Sequence, residues 1–562
     1  MKKDENLNKN YEPILSKSKE WPVVQLSNNR KAFIEEVAQE SFKRIKAIRT
    51  NKTSIIEELE TTLYREKQRI KRYPWKVDPK DDEIFWNKIK HRLVELPSSN
   101  GKEGSDDEEK ILFDIIHRYS SEIAGNFKPS RYRLTREIVK FGFSRLLNAS
   151  RNNRFTAIFR NKYTLQDKIQ IMGEVEQLRT LAKKGTIVLV PTHFSNLDSI
   201  LIGWVIHSLG LPPFIYGAGL NLFNIRIIAY FMNSLGAYKV DRRKKNLLYL
   251  EALKTYSHLA IQRGAHSLFF PGGTRSRSGE IEKELKLGLL GSALEAQRVL
   301  YEKGNKDTEG KIFIVPVTLN YNFVLEAPLL INEHLRRKGQ ERYYIEKDRF
   351  SSSYRIMKFL FKFFTKGSDI SISIGKSMDV LGNHVDMNGV SLDSNNRQIN
   401  TKDYFMFNGK ITLDKQRENE YTRMLSKAIV KEYQTINRIF ASHLVAFVAF
   451  QIMRSKFKNI DLYNFLRIPE EDLNIPYEEF KTKFEELRQV VFQMDEENKL
   501  KAAPHLYEEL DEVIKMGLDN VGMYHDKRPL LKNKKGEIYT QNINTLYYYH
   551  NRLNGYDLER YF

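Results

Sequence analysis

A histidine and an aspartate with four residues between them, His193 and Asp198, are the first candidates for chemistry in this chain. The apolar run of residues 185–193 predicts a buried strand that ends on the histidine, and the residues after it predict a helix. The aspartate would lie in the first helical turn, from where its carboxylate can fold back onto the imidazole. Such a carboxylate fixes the tautomer of the ring and leaves the other ring nitrogen as a general base. A histidine at a helix start, followed by an aspartate that complements the helix dipole, would have the same spacing.

A second group of candidates lies in residues 270–279, which read Phe-Pro-Gly-Gly-Thr-Arg-Ser-Arg-Ser-Gly directly after a predicted strand. Glycines allow the backbone to approach a ligand closely, and guanidinium groups bind phosphate oxygens in a bidentate way. These residue types indicate a phosphate site, although a solvated basic turn has the same composition. The spacing of a P-loop is missing. The candidate loop residues are Gly272, Gly273, Thr274 and Ser276, and the candidate phosphate ligands are Arg275 and Arg277.

Two further predicted strands carry candidates. Arg242 closes the short strand pattern that starts at residue 236, where it would bring another guanidinium to the same phosphate or lie in a surface turn. Val315 and Pro316 belong to the apolar strand 314–317. The proline would shape a pocket wall or have a purely structural role.

The elements that must position these residues form an α/β pattern in the middle of the chain. Near-continuous apolar strands alternate there with helical stretches, which predicts a mixed, largely parallel sheet flanked by helices. We expect a helical N-terminal region over 1–165, an α/β catalytic domain over 166–415 and a helical C-terminal region over 416–562. The polar, acidic stretch 97–110 predicts a loop. Residues 439–453 predict a buried helix too short to span a bilayer.

Composition limits the classes of partner. The net charge of +21 favours anionic partners, and 41% hydrophobic residues allow a sizeable core. The absence of cysteine excludes a disulfide scaffold and a thiol nucleophile. No metal-ligand spacing and no nucleic-acid-binding signature is present, so we expect neither a metal nor a nucleic-acid partner. The first residues lack the apolar run of a secretory signal, which predicts a cytoplasmic protein.

The order and content of these motifs resemble the glycerolipid acyltransferase superfamily. Its four motifs read His-x4-Asp, Gly-x5-Arg, Phe-Pro-Glu-Gly-Thr-Arg-Ser and Val-Pro-Val, and this chain has counterparts of them in the same order between about residues 180 and 380. The long helical flanks and the ending Leu-Tyr-Tyr-Tyr-His-Asn-Arg-Leu (546–553) are similar to the large bacterial glycerol-3-phosphate acyltransferases.

The resemblance implies a role for each matching residue. His193 would be the general base and Asp198 its orienting partner, while Arg242, Arg275 and Arg277 would bind the acceptor phosphate. The implied reaction moves an acyl group from acyl-CoA or acyl carrier protein to the hydroxyl of glycerol 3-phosphate, the first step of phospholipid synthesis, and needs no cofactor.

One position departs from the resemblance. Gly272 stands where the superfamily motif has glutamate, which puts the acceptor in doubt. Dihydroxyacetone phosphate, lysophosphatidate or an amino-acid lipid are alternative acceptors, and a membrane-associated binding protein without turnover is a further alternative. Glu282 or Glu284, a few residues further on, would supply a replacement carboxylate.

Residues 354–366 predict a helix with a basic stripe beside a wide apolar face. Such a helix suits an anionic membrane interface, although a core helix with snorkelling lysines has the same pattern. We expect the protein to lie peripherally on the inner face of the cell membrane. The candidate membrane-facing residues are Lys358, Lys362, Phe363 and Phe364.

Overall fold

The centre of the protein is a mixed seven-stranded sheet in the part of the chain that the structure describes. The computed structural model describes residues 11–49, 52–96, 102–137, 169–220, 232, 236–307, 309–338 and 370–562. The strand order is β1-β7-β6-β2-β5-β3-β4. The strands are β1 (Ile169–Gly173), β2 (Thr186–Pro191), β3 (Ile215–Gly219), β4 (Ala237–Val240), β5 (Ser267–Leu268), β6 (Ile312–Tyr321) and β7 (Ile370–Ile374).

All neighbouring strands of this sheet run parallel except β6 and β7, which pair antiparallel. Every residue of β2 and β6 is buried, as expected for central strands with both faces covered. Their register pairs Val188 with Ile314 and Val190 with Pro316. The predicted mixed, largely parallel α/β fold is therefore confirmed.

Helices connect these strands and cover the sheet. The helix after β2 begins at Asp198, so the strand and helix predicted around the histidine are both present. The long apolar helices of this region bury most of their residues, which accounts for the continuous hydrophobic core on the sheet. The helices are α6 (Val175–Leu181), α7 (Asp198–Ser208), α8 (Leu247–Gln262), α9 (Leu287–Glu302) and α10 (Ala327–Lys338), in a numbering that counts the N-terminal helices first.

The N-terminal region is helical, as predicted, and has a hydrophobic core of its own. Ile115 and Tyr119 in this core pack with Leu248 and Ala252 of α8, so the region joins the sheet through that helix. The loop predicted over 97–110 is wrong from residue 102 onward, because a helix begins there whose charged residues lie in its first turns. The helices are α1 (Pro22–Asn28), α2 (Arg30–Ile48), α3 (Lys52–Arg72), α4 (Asp82–Val94) and α5 (Lys102–Ile123).

The C-terminal region shares the core of the sheet. The apolar segment predicted as a buried helix is α12, and its side chains are buried almost throughout. No helix among the described residues combines the length and apolar character needed to cross a bilayer. The helices are α11 (Lys415–Ile436), α12 (Ala441–Ser455), α13 (Leu462–Phe465), α14 (Tyr477–Glu496), α15 (Leu510–Asn520) and α16 (Ile543–His550).

Short strands outside the main sheet occur after β7 and throughout the C-terminal region. They form small two- and three-stranded ladders between the helices. They are β8 (Ser391–Leu392), β9 (Gln398–Ile399), β10 (Met406–Phe407), β11 (Lys410–Ile411), β12 (Arg438–Ile439), β13 (Ile475–Pro476), β14 (Lys501–Ala502), β15 (Leu531–Lys532) and β16 (Glu537–Tyr539).

Candidate active site

The predicted histidine and aspartate are hydrogen-bonded to each other. His193 follows the carboxyl end of β2, where ligands of open α/β sheets bind, and Asp198 is the first residue of α7. The imidazole Nδ1 lies 2.8 Å from the carboxylate Oδ2. The side chain of His193 is 14% exposed and that of Asp198 is fully buried. The site thus joins a solvent-accessible imidazole to a carboxylate that water does not reach.

Both carboxylate oxygens of Asp198 accept hydrogen bonds. Its Oδ2 accepts the backbone N–H groups of Phe194 (2.7 Å) and Ser195 (3.0 Å), and its Oδ1 accepts the hydroxyl of Tyr321 at 2.6 Å. Burial and the neighbouring carboxylate raise the pKa of Tyr321, so its hydroxyl stays a donor. The carboxylate therefore has a fixed orientation, with its imidazole partner at a defined place.

An aromatic ring also packs against the face of the His193 imidazole. The imidazole stacks on Phe270, with ring centroids 4.1 Å apart and an interplanar angle of 24°. The backbone N–H of Ser276 donates to the carbonyl of His193 at 2.7 Å. No hydrogen bond to Nε2 occurs within the described ranges, which leaves this nitrogen available to an incoming hydroxyl.

The glycine- and arginine-containing loop packs directly against this histidine. A turn begins at Phe270, whose carbonyl accepts the N–H of Gly273 at 3.0 Å. Gly273 has a φ of +76°, a conformation that other residues rarely adopt. The hydroxyl of Ser276 donates to the carbonyl of Glu280 at 2.7 Å and so closes the loop. The loop, with Thr274 among its lining residues, borders a cleft of about 300 Å³.

The three predicted arginines lie close together. Enclosure by the protein lowers the pKa of Arg242, and repulsion from Arg275 and Arg277 lowers it further. Arg242 still reaches solvent, and no carboxylate in the described part of the chain pairs with it. Arg275 donates to Glu326 at 3.2 Å, and Arg277 pairs with Glu333 at 2.9 Å. Arg275 and Arg277 line the cleft, and Arg242 lies near enough for their charges to act on it.

Glu326 connects the histidine segment to the arginine loop. Its Oε1 accepts the backbone N–H of Asn196 at 3.0 Å and the guanidinium of Arg275 at 3.2 Å. Its Oε2 accepts the hydroxyl of Ser195 at 3.2 Å. A carboxylate with bonds to both segments holds the histidine turn and the arginine loop in one arrangement.

The structure places the remaining candidates as follows. Val315 and Pro316 are buried within β6, and they are not among the residues that line the cleft, so their role as a pocket wall stays a prediction. Glu284 is exposed, whereas Glu282 lies against Gly272. The membrane-facing candidates Lys358, Lys362, Phe363 and Phe364 lie outside the described residues.

Three residues of the site were not predicted from sequence. Tyr321 is the last residue of β6, a strand expected from sequence, and Glu326 lies directly before α10. Arg552 comes from the C-terminal end, and its guanidinium lies 4.0 Å from the ring centroid of Phe194. A polar side chain at the end of a buried strand is a local signal for Tyr321. The place of Arg552 depends on the folding of the whole chain.

Comparison with known proteins agrees with this geometry. The family model described as Acyltransferase matches residues 173–320, which include the histidine, the arginine loop and all of β6 except its last residue. This segment is similar to acyltransferase domains. The resemblance to the acyltransferase superfamily is thereby confirmed on the segment that carries the site.

The chain is also similar to curated proteins named glycerol-3-phosphate acyltransferase. It is 32% identical over 219 residues to the Aeromonas hydrophila protein, covering 39% of this chain and 24% of the relative. It is 28% identical over 237 residues to the Alteromonas mediterranea protein, covering 42% and 25%. For the Pseudomonas paraeruginosa protein the identity is 27% over 220 residues, covering 39% and 23%. The match spans about a quarter of the length of these relatives.

The segment matched by the family model brings an imidazole, its carboxylate partner and three arginines to one edge of the sheet. Nδ1 of His193 donates to Asp198, so a neutral ring presents an unprotonated Nε2. Within the described ranges, no group of three histidine, aspartate or glutamate side chains forms a candidate metal site.

Proposed function

We propose that the protein transfers a fatty acyl group from an acyl thioester to a hydroxyl of glycerol 3-phosphate. The observation that carries the proposal is the position of His193, which faces Asp198 on one side and joins the loop of Arg275 and Arg277 on the other. A phosphate on these arginines would place a hydroxyl of the same small molecule beside the imidazole. The relatives named glycerol-3-phosphate acyltransferase support this acceptor.

In the proposed reaction His193 transfers the proton, while Asp198 and the arginines position the reacting groups. Nε2 of His193 accepts the hydroxyl proton while the hydroxyl oxygen bonds to the thioester carbonyl carbon. The carbon–sulfur bond then breaks, and the leaving thiolate takes the proton back from the imidazolium. Asp198 stabilises that imidazolium through Nδ1. Binding of the acceptor phosphate by the arginines turns the attack into a reaction between fixed partners.

Thiol release by the purified protein tests the proposal. Acyl-CoA and acyl carrier protein are compared as donors against glycerol 3-phosphate, and the ester product is identified by mass spectrometry. We expect glycerol 3-phosphate to stimulate thiol release, and His193→Ala to lower the rate by about 10²–10⁴-fold because the general base is lost. Full acyl transfer by His193→Ala would overturn the mechanism.

A second candidate keeps this chemistry and changes the acceptor. It is favoured by Gly272, since the superfamily motif has a glutamate at this position. The acceptor panel therefore includes dihydroxyacetone phosphate, lysophosphatidate and an amino-acid lipid. A higher kcat/KM for one of these than for glycerol 3-phosphate would select it. Binding of acceptor and donor without any thiol release would instead indicate a binding protein.

We further propose that the protein is cytoplasmic and binds the anionic inner face of the cell membrane through residues 354–366. Lysines spaced along one side of this segment and phenylalanines over the rest support the proposal. We expect Phe363→Glu combined with Phe364→Glu to reduce co-sedimentation with anionic vesicles. The matched control is Phe407→Glu, at an exposed phenylalanine elsewhere. Equal sedimentation of the double variant and the unchanged protein would contradict the proposal.

A further inference from the structure

The side chain of Glu282 occupies the space that a side chain at residue 272 would need. A Cβ atom built on Gly272 would lie 2.9 Å from Cγ and 3.0 Å from Oε1 of Glu282. Contacts this short are incompatible with both side chains in their present places. The side chain of Glu282 can therefore occupy its present place only because residue 272 is a glycine.

The chain returns to the loop to bring Glu282 there. The N–H of Lys286 donates to the carbonyl of Pro271 at 2.7 Å. This bond holds the segment that returns to the loop, residues 280–286, against the start of the loop. Ile281 and Leu285 on either side of Glu282 are buried in the main core. The position of the carboxylate is thus fixed by backbone and core contacts on both sides.

Glu282 holds the backbone of the catalytic histidine. Its Oε1 accepts the N–H of His193 at 2.9 Å. The carbonyl of the same residue accepts the N–H of Ser276 at 2.7 Å. Both backbone polar groups of His193 are therefore hydrogen-bonded. The N–H is bound by Glu282, and the carbonyl is bound by Ser276 of the loop.

The carboxylate of Glu282 is partly removed from water. Its Oε2 is buried and has no hydrogen-bond partner in the described part of the chain. Burial raises the pKa of Glu282 to about 7, and the buried guanidinium of Arg552 acts in the opposite direction. Leaving a buried oxygen without a partner costs free energy, so the fold keeps this carboxyl group at a cost to its stability.

We propose that Glu282 is the positioning residue of the acyl acceptor site, supplying from the returning chain the carboxylate that Gly272 cannot supply. It fixes the main chain of His193 so that Nε2 faces the acceptor hydroxyl bound at the arginines. This role rests on the proposed acyl transfer, because positioning of Nε2 has a kinetic effect only if His193 is the base.

Transfer of the carboxylate back to residue 272 tests the inference. We expect Glu282→Ala to lower kcat on the order of 10²-fold, since a misplaced base loses the benefit of orientation. The double variant Gly272→Glu/Glu282→Ala should recover at least about tenfold of that loss, because the space left by Glu282 admits the new side chain. Glu282→Gln keeps an acceptor oxygen for the N–H of His193 and should keep most of the activity. The matched control is Glu496→Ala, at an exposed residue of α14.

A second measurement separates this inference from the proposed function. The backbone amide resonance of His193, observed in protein labelled with ¹⁵N-histidine and assigned by its loss in His193→Ala, should move upfield in Glu282→Ala and return in the double variant. If the unchanged protein releases no thiol with any acceptor, the proposed function fails while the amide shift still decides the contact. Unchanged kcat and an unchanged amide in Glu282→Ala, or loss of activity in Glu284→Ala instead, would overturn the role of Glu282.

Discussion

The Asp198 carboxylate accepts hydrogen bonds from the imidazole of His193, from two backbone N–H groups and from the hydroxyl of Tyr321. Backbone donors cannot be removed by a side-chain change, so the orientation of this carboxylate is built into the turn between β2 and α7. A carboxylate in such surroundings stabilises a positive charge on the imidazole when the ring accepts a proton. The chemistry of the pair thus depends on local backbone geometry as much as on the two side chains.

At the residue scale, Arg242 differs from Arg275 and Arg277 because no carboxylate among the described residues pairs with it. We expect Arg242→Gln to raise KM for glycerol 3-phosphate by roughly 10- to 100-fold, since a hydrogen bond to a charged group contributes about 1.5–3 kcal/mol. The thermal midpoint should stay equal or rise, because repulsion from Arg275 and Arg277 is relieved. Steady-state kinetics with varied acceptor measures the effect.

The exposed Arg397 provides the matched control, since Arg397→Gln removes the same charge away from the cleft. Equal acceptor KM values for Arg242→Gln and the unchanged protein would show that Arg242 does not bind the phosphate.

At the element scale, the C-terminal end of the chain holds the arginine loop in place. The side-chain amide of Asn551 donates to the carbonyl of Ser278 at 2.9 Å, and that of Asn554 donates to Glu280 Oε1 at 2.7 Å. The guanidinium of Arg552 donates to the carbonyl of Leu319 at 2.9 Å and lies over the ring of Phe194. The loop, the end of β6 and the histidine turn therefore meet at one C-terminal segment.

The closest approach in this contact is at Gly279, where a Cβ atom would lie 2.1 Å from the carbonyl oxygen of Tyr548. We expect Gly279→Ala to lower the free energy of unfolding by about 1–3 kcal/mol more than a control with the same backbone strain, because the two segments must separate. The control is Gly264→Ala, since Gly264 has a φ of +77° and no atom within 4 Å of its Cβ position. Denaturant unfolding of both variants gives the difference.

The loop shift in Gly279→Ala should also raise the acceptor KM, which Gly264→Ala should leave unchanged. Equal unfolding free energies for the two variants would mean that the C-terminal segment does not restrain the loop.

At the scale of the whole molecule, buried histidines make the fold sensitive to acid. Burial lowers the pKa of each of six histidines below the value of about 6.5 for an unfolded chain. In the folded protein the values are about 3 for His258, His443 and His525, and about 4 for His266, His505 and His550. Between these values and 6.5 the unfolded chain binds more protons than the folded one, so stability falls as the pH falls.

We therefore expect a lower thermal midpoint at pH 5 than at pH 7, with each histidine contributing up to about 1.4 kcal/mol per pH unit. Glu282 acts in the opposite sense, because its raised pKa makes the folded state bind the extra proton between pH 4.5 and 7. Burial also raises the pKa of Glu418 and Glu432, and three carboxyl groups against six imidazoles still leave the net slope positive with pH. A thermal midpoint that rises on acidification from pH 7 to pH 5 would contradict this balance.

Sequence by itself determined the local parts of the site. The spacing of His193 and Asp198 places both at one strand–helix junction, because the apolar strand before them and the longer apolar helix after them can be recognised in the sequence. The arginines of the loop were predicted for the same reason, since their residue types lie next to each other in the chain. The α/β class followed from alternating apolar strands and helices.

Only the tertiary structure decided which distant groups complete that site. Gly272 was identified from sequence as a departure, but Glu282 and Glu284 were equal candidates until the return of the chain placed one of them against residue 272. Glu326 and Arg552 reach the histidine turn from other elements, and no local pattern specifies such contacts. Their positions follow from the closure of the whole core, in which burial of apolar surface from many segments outweighs the preference of any one segment.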